Sequence, residues 1–196
     1  MTKPVYGGNA WAMYTTDCNP QIATIRAKTM EAQEPDDNRS GDILCLDVKV
    51  DNDNIRVKLL EKVPEQTEGI RLEEARVVIG GGRGVGSSES FDKLNGIATL
   101  LNGAVGASRA ACDNGWIPGT KQIGLTGRVV TPEVYLAVGI SGASQHMAGC
   151  HGASHIIAIN NDDGAHIFNE ANYGVIGDWE LVMDGFVKKL KELGPG

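Results

Sequence analysis

No apolar run in these 196 residues can cross a bilayer. Stretches such as Val134–Ile140 fall far short of the ~20 residues a spanning helix needs. Positive charge is also scarce: 18 Lys and Arg stand against 25 Asp and Glu, a net charge of −7. With no basic stripe anywhere, nucleic acid is not an expected partner. Cysteine is limited to Cys18, Cys45, Cys112 and Cys150, and none forms a Cys-x-x-Cys pair. A chain of this size buries about 70% of its unfolded surface, so it needs no disulfide or metal to fold. Four reduced, mostly buried thiols are expected. The start, Met1-Thr2-Lys3-Pro4, has no apolar signal core. A soluble protein is expected, cytoplasmic or, in a eukaryote, of the mitochondrial matrix. Two phosphate signatures are missing as well. Gly82, Gly84 and Ser87 do not make Gly-x-Gly-x-x-Gly, and no Walker lysine follows. His146, Cys150, His151 and His155 fit neither a His-Glu-x-x-His site nor a finger, so no metal is expected.

Glycine is what the chain has in excess, 26 residues in clusters where strands should end. Two unequal parts are legible. Residues 1–68 read as strands and loops. Val5–Ala10 is a turn between extended pieces, and Gln21–Arg26, Leu44–Val50 and Ile55–Leu60 alternate as half-buried strands do. Asp51-Asn52-Asp53-Asn54 suits a hairpin turn, and Glu31–Asp42 a mobile loop. The Lys62–Glu68 stretch, with Pro64, reads as a linker that lets the next domain move.

Residues 69–196 change character. Short apolar strands are expected at Arg76–Ile79, Ala104–Ser108, Gln122–Gly124, Val134–Val138, His155–Asn160 and Gly174–Ile176, the last two buried. Ser87 and Ser88 can cap a helix with Phe91, Leu94, Ile97, Ala98 and Leu101 on one face. A short helix holds Gln145, His146 and Met147. Asp178 caps a last helix whose Trp179, Val182, Met183, Phe186, Val187 and Leu190 make a core face. Alternation of such strands with helices predicts an α/β fold: a Rossmann-like parallel sheet with helices on both faces, preceded by a strand-rich segment. Ligands of such sheets bind outside the carboxyl ends of the strands. There the chain places Gly-Gly-Arg-Gly, Ser-Arg, Thr-Gly, Ser-Gly-Ala and Asn-Asn, small residues and directed donors suited to a phosphate-bearing ligand. An isolated Arg109 or His146 would, by itself, more often be a structural group.

Longer motifs go further. Val78–Gly84, Val105–Ala111, Gly124–Gly127, Pro132–His146, Ile157–Asn160 and Ala171–Asp178 occur in an order that resembles the alpha subunit of electron transfer flavoprotein. Pro4–Arg26 is similar to the end of that family's N-terminal domain. The resemblance implies the family's FAD-binding domain, of the deoxyhypusine synthase-like NAD/FAD-binding fold, with a tail of the preceding domain. It implies one bound FAD and a flavin electron carrier rather than an enzyme. It also implies a heterodimer with a beta subunit, flavin dehydrogenases such as acyl-CoA dehydrogenases as donors, and a membrane quinone reductase or another flavoenzyme as acceptor.

Carried over by motif, the flavin contacts are Arg83, Ser108, Arg109, Ile123, Gly124, Leu125, Thr126, Ser141, Gly142, Ala143, Ser144, Gln145, His146, Asn160, Asp178 and Trp179. Arg109 suits the ring face as a permanent cation. His146 suits the ring's pyrimidine edge, sharing its negative charge, and Thr126 suits a ring nitrogen. Arg83 and Ser141 suit the diphosphate or ribityl chain, and Asn160 and Asp178 the adenosine end. Three positions depart from the family: Leu125 where glutamine is common, Asn172 where aspartate is, and Asn161 where lysine is frequent. A nicotinamide- or flavin-dependent enzyme with its own turnover is the alternative, and a non-redox assembly platform a third reading.

Overall fold

The computed structural model describes residues 1–5, 10–25, 34–48, 57, 59–61 and 69–193. The expected turn at Tyr6–Asn9, the hairpin turn at Asp51–Asn54 and the Lys62–Glu68 linker lie outside these residues. Two compact units are present, one of Met1–Asn19 with Thr67–Gly196 and one of Pro20–Gln66.

Within the first unit, β1 (Thr2–Val5) and β2 (Ala10–Met13) pair antiparallel, the two extended pieces expected around the glycine turn. In the second unit the expected strands are not found among the described residues. Gln21–Ile25 and Leu44–Val48 have no strand pairing, and Ile22, Leu44 and Leu46 are more than four-fifths exposed. Alternation marks a side-chain pattern, but a strand exists only where another strand takes its hydrogen bonds. Cys45 is exposed for the same reason and Cys18 is exposed too, so only Cys150 of the four thiols is fully buried, with Cys112 partly so.

From Val77 onward the expected α/β alternation is realised. A five-stranded, all-parallel sheet contains β3 (Val77–Gly81), β4 (Ala104–Ala107), β5 (Val134–Val138), β6 (His155–Asn160) and β7 (Tyr173–Ile176), in the order β4-β3-β5-β6-β7. Gln122 and Ile123 make single bridges, with Ala107 and Arg128 respectively, instead of a strand. Five helices connect these pieces: α1 (Ser88–Leu100), α2 (Arg109–Asp113), α3 (Ser144–Met147), α4 (Ile167–Glu170) and α5 (Trp179–Leu193). The Ser87 hydroxyl accepts from the Ser90 amide and starts α1; Asp178 Oδ1 accepts from the Glu180 and Leu181 amides and starts α5.

Because strand side chains alternate, each face of the sheet builds its own core. Ile79, Val105, Leu136, Val138 and Ile159 pack with Phe91, Leu94 and Ala98 of α1 and Trp179 and Met183 of α5. Val78, Ala104, Tyr135, Ala137, Ile156 and Ala158 pack with Ile123, Ile140, Met147, Cys150 and Ile167 on the other face. Full burial of one such side chain, Leu94 for example, contributes about 2 kcal/mol. At the opposite edge from the strands' carboxyl ends, Arg76 grips Glu133 through two hydrogen bonds of 2.7 and 2.8 Å.

One strand differs from expectation. All four residues of β7 are exposed, Tyr173 and Ile176 by more than three-fifths. It is the sheet's edge, with β6 on one side and, among the described residues, no strand on the other.

Candidate functional site

The strand order places a topological switch between β3 and β5, whose connections leave in opposite directions along the sheet. Open α/β sheets bind ligands at such a point, outside the carboxyl ends. All five strands are parallel, so those ends share one edge.

Every residue named from the sequence lies at that edge. Arg83 is exposed in the single 3-10 turn after β3. Ser108 and Arg109 follow β4. Ile123 is tied to the same strand end, its amide donating to the Ala107 carbonyl at 2.8 Å, and Gly124, Leu125 and Thr126 continue from it. Ser141, Gly142, Ala143, Ser144, Gln145 and His146 follow β5 and enter α3. Asn160 ends β6, and Asp178 and Trp179 follow β7.

Their side chains are not equally available. Arg109 is largely exposed and pairs with Asp113 one helical turn away at 3.4 Å. Thr126 Oγ1 accepts from Gln122 Nε2 at 3.0 Å, which leaves the hydroxyl hydrogen to donate elsewhere. Leu125 is 62% exposed, so its apolar side chain meets whatever occupies the edge. Asn160 is spent within the protein: Nδ2 donates to the Ile140 carbonyl and Oδ1 accepts from the Asp162 amide. It ties the loop after β5 to the loop after β6. Trp179 is buried in the α1/α5 core, as the helix spacing predicted.

The glycine cluster after β3 also has structural work. A side chain on Gly80 would overlap the Tyr135 hydroxyl, and one on Gly82 would overlap the Gly139 carbonyl. The Gly82 amide donates to Val138 and the Gly84 amide to Gly139, at 2.8 and 3.0 Å. These glycines let the two switch-point loops meet backbone to backbone.

His146 is buried within α3, with Nε2 2.8 Å from the Tyr135 hydroxyl. Burial lowers its pKa to about 4, opposed by the nearby Ile123 carbonyl. The ring is therefore neutral at pH 7, and the charge-sharing role expected from the sequence is not available to it in this state. The Tyr135 hydroxyl is pushed well above its ordinary range, and the Cys150 thiol up to about 12, both by burial.

Tyr135 was missed by sequence reasoning, which took it for one more apolar residue of β5. The available signal was a hydroxyl-bearing aromatic inside an otherwise aliphatic strand. Asn172 is also explained. It donates its amide to the Ile156 carbonyl and accepts the Ile156 amide on Oδ1, at 2.8 and 2.7 Å. An aspartate carboxylate would accept that amide equally well, so the departure leaves the β6–β7 junction intact.

Among the described residues, two buried side-chain polar atoms have no hydrogen-bond partner: Ser108 Oγ and His146 Nδ1. Such atoms cost about 1–3 kcal/mol each and are uncommon in folded proteins. Both belong to the carboxyl edge of the sheet. A cofactor with several acceptors fits that donor set: two orphaned groups, a free hydroxyl hydrogen on Thr126, and the exposed cations Arg83 and Arg109.

Residues 71–151 match the family described as the electron transfer flavoprotein FAD-binding domain. Nearly the whole chain is similar to electron transfer flavoprotein alpha subunits. It is 42% identical over 192 residues to that of Bacillus subtilis and 40% over 193 to that of Thermoanaerobacterium thermosaccharolyticum, covering 98% of this chain and 58% of each relative. The mitochondrial alpha subunit of Arabidopsis thaliana is 37% identical over 196 residues, 97% of this chain and 54% of that one. The chain thus spans a little over half the length of the curated relatives it matches. Residues 71–151 thus match the electron transfer flavoprotein FAD-binding domain, and nearly the whole chain is similar to part of that protein's alpha subunits.

Proposed function

We propose that the domain formed by residues 69–196 binds one FAD along the carboxyl edge of its sheet and carries electrons, without substrate turnover of its own. The observation that carries this reading is the pair of orphaned buried groups, Ser108 Oγ and His146 Nδ1, at the edge where the family match falls. When bound, FAD supplies the one-electron chemistry; the chain supplies position and electrostatics. Ser108 would gain a partner for its hydroxyl. Thr126 would donate the hydrogen that Gln122 leaves free. Arg83 would face the diphosphate or ribityl chain, and the exposed side chain of Leu125 would lie against the ring. Asp178 would lie near the adenosine end, although Oδ1 also caps α5.

The rest of the reading rests on the resemblance of the sequence motifs to the electron transfer flavoprotein alpha subunit. The chain would work beside a beta subunit, take electrons from flavin dehydrogenases such as acyl-CoA dehydrogenases, and pass them to a membrane quinone reductase or similar acceptor. Among the described residues no helix is long and apolar enough to cross a membrane. The cytoplasm, or the mitochondrial matrix in a eukaryote, is the proposed compartment.

The direct test is an absorption spectrum after incubation with excess FAD and desalting, with and without the beta subunit. Retained flavin absorbance at about one FAD per chain is expected. Failure to retain flavin in both preparations would overturn the assignment.

Arg109 gives a second test. Its guanidinium is held only by an exposed i,i+4 pair, worth a few tenths of a kcal/mol, so it can turn toward a bound ring at little cost. Arg109→Ala should lower the one-electron potential of bound FAD on the order of 60 mV, a tenfold loss of stabilisation of the reduced form. Spectroelectrochemistry showing an unchanged potential, with FAD still bound, would remove Arg109 from that role.

A further inference from the structure

We propose that Tyr135 is a positioning residue: its hydroxyl donates to His146 Nε2 and so fixes His146 as the tautomer with its proton on Nδ1, beside the turn that begins at Ile123.

The count of available hydrogens sets the direction of this bond. Tyr135 is fully buried, and its hydroxyl stands 2.8 Å from His146 Nε2, with ring centroids 6.1 Å apart. The glycine at position 80 leaves the hydroxyl the room it occupies, since a Cβ there would overlap it. A phenol has one hydrogen to give. Two acceptors adjoin it, the imidazole nitrogen and the Cys150 sulfur. Sulfur is the weaker acceptor, and the Cys150 thiol is already directed at the His146 carbonyl, 3.7 Å away. The phenolic hydrogen therefore goes to Nε2.

A neutral imidazole that accepts on one nitrogen carries its proton on the other. Nδ1 is then an N–H donor. The Ile123 carbonyl nearby favours a proton on the ring, which agrees with that assignment. The opposite tautomer would turn a bare Nδ1 acceptor toward the Ile123 carbonyl, which is also an acceptor, and send the phenolic hydrogen to sulfur. It loses on both counts.

The consequence is mechanical as well as electronic. Helix α3 is already joined to the turn by the bond from the Leu125 amide to the Gln145 carbonyl, at 2.7 Å. Tyr135 anchors the same helix from inside β5. The strand, the helix and the turn thus form one unit that presents a neutral N–H donor instead of a cation. The use of that donor toward FAD rests on the function proposed above; the tautomer itself does not.

The test separates the two. The full chain, labelled with 15N-histidine and free of flavin, is examined by 15N NMR at pH 7, with the His146 signals identified by their loss in His146→Gln. A pyridine-type Nε2 and a pyrrole-type Nδ1 are expected. Tyr135→Phe should lower the ratio of the two tautomers about five- to tenfold, which moves both nitrogens toward averaged shifts. A pyrrole-type Nε2 in the unsubstituted chain would overturn the proposal, as would a Tyr135→Phe spectrum with the tautomer unchanged. Should Tyr135→Phe not fold, the pattern of the unsubstituted chain decides alone. The expected tautomer in a chain that retains no FAD would keep the role of Tyr135 and remove only the flavin assignment.

Discussion

Gly82→Ala should destabilise the domain by on the order of 3 kcal/mol or more, read from the urea midpoint. The added methyl would overlap the Gly139 carbonyl oxygen and crowd the Ile140 backbone. Both are main chain, so no rotamer change relieves the contact. Two bonds would be strained with it, from Gly82 to Val138 and from Gly84 to Gly139. The loops after β3 and β5 would part at the switch point, so FAD retention should fall together with stability. Gly96→Ala is the matched control. Gly96 is exposed within α1, and a methyl there meets nothing within 4 Å. Alanine should stabilise that helix by about 0.5–1 kcal/mol. Equal midpoints for the two variants would show that the approach of the two loops is not needed for stability.

The second large effect is acid sensitivity. His146 has a folded-state pKa of about 4, below the ordinary 6.5. Between those values the unfolded chain binds a proton that the folded chain refuses. Stability therefore rises with pH across this window and falls as pH drops from 6.5 toward 4. The whole drop from this one group is about 3 kcal/mol, at 1.4 kcal/mol for each unit of displacement. Glu89 and Glu133, whose carboxyls are held below their ordinary range by hydrogen bonds, act in the same direction at lower pH. The interval from pH 6.5 to 5 is thus the diagnostic one. In His146→Gln the pH slope of unfolding free energy over that interval should flatten. A slope identical to that of the unsubstituted chain would mean that His146 is not the acid-sensitive group.

Much of the nucleotide-type domain was legible from local pattern. Period and caps determined β3 through β6, α1 and α5, since short β-branched runs and a three-four apolar spacing each have one good way to be buried. The same patterns, with the motifs, pointed to the carboxyl edge of the sheet as the site. Alternation was not enough in Gln21–Ile25 and Leu44–Val48, where no partner strand takes the hydrogen bonds among the described residues. The expected burial failed in β7, whose apolar residues lie on an edge that nothing in the sequence marked.

The sequence by itself determined the chemistry available: which residues are cationic, which carry hydroxyls, and which strand ends they follow. Only the tertiary structure decided how that chemistry is spent. Asn160 looked like a ligand group, yet both ends of its amide are consumed by neighbouring loops. Gly80 and Gly82 stand out only as glycines in the sequence; the fold makes them clearances for a hydroxyl and a carbonyl. His146 looked like a charge donor, and burial keeps it neutral. Tyr135 looked like core and proved to be the partner of His146. Apart from the Asn160–Asp162 bond, the deciding fact is a contact between residues 11 to 57 positions apart, or the loss of water around a group, and neither is a property of a residue type. Protonation and hydrogen-bond roles belong to the packed site, because desolvation and partner geometry set them.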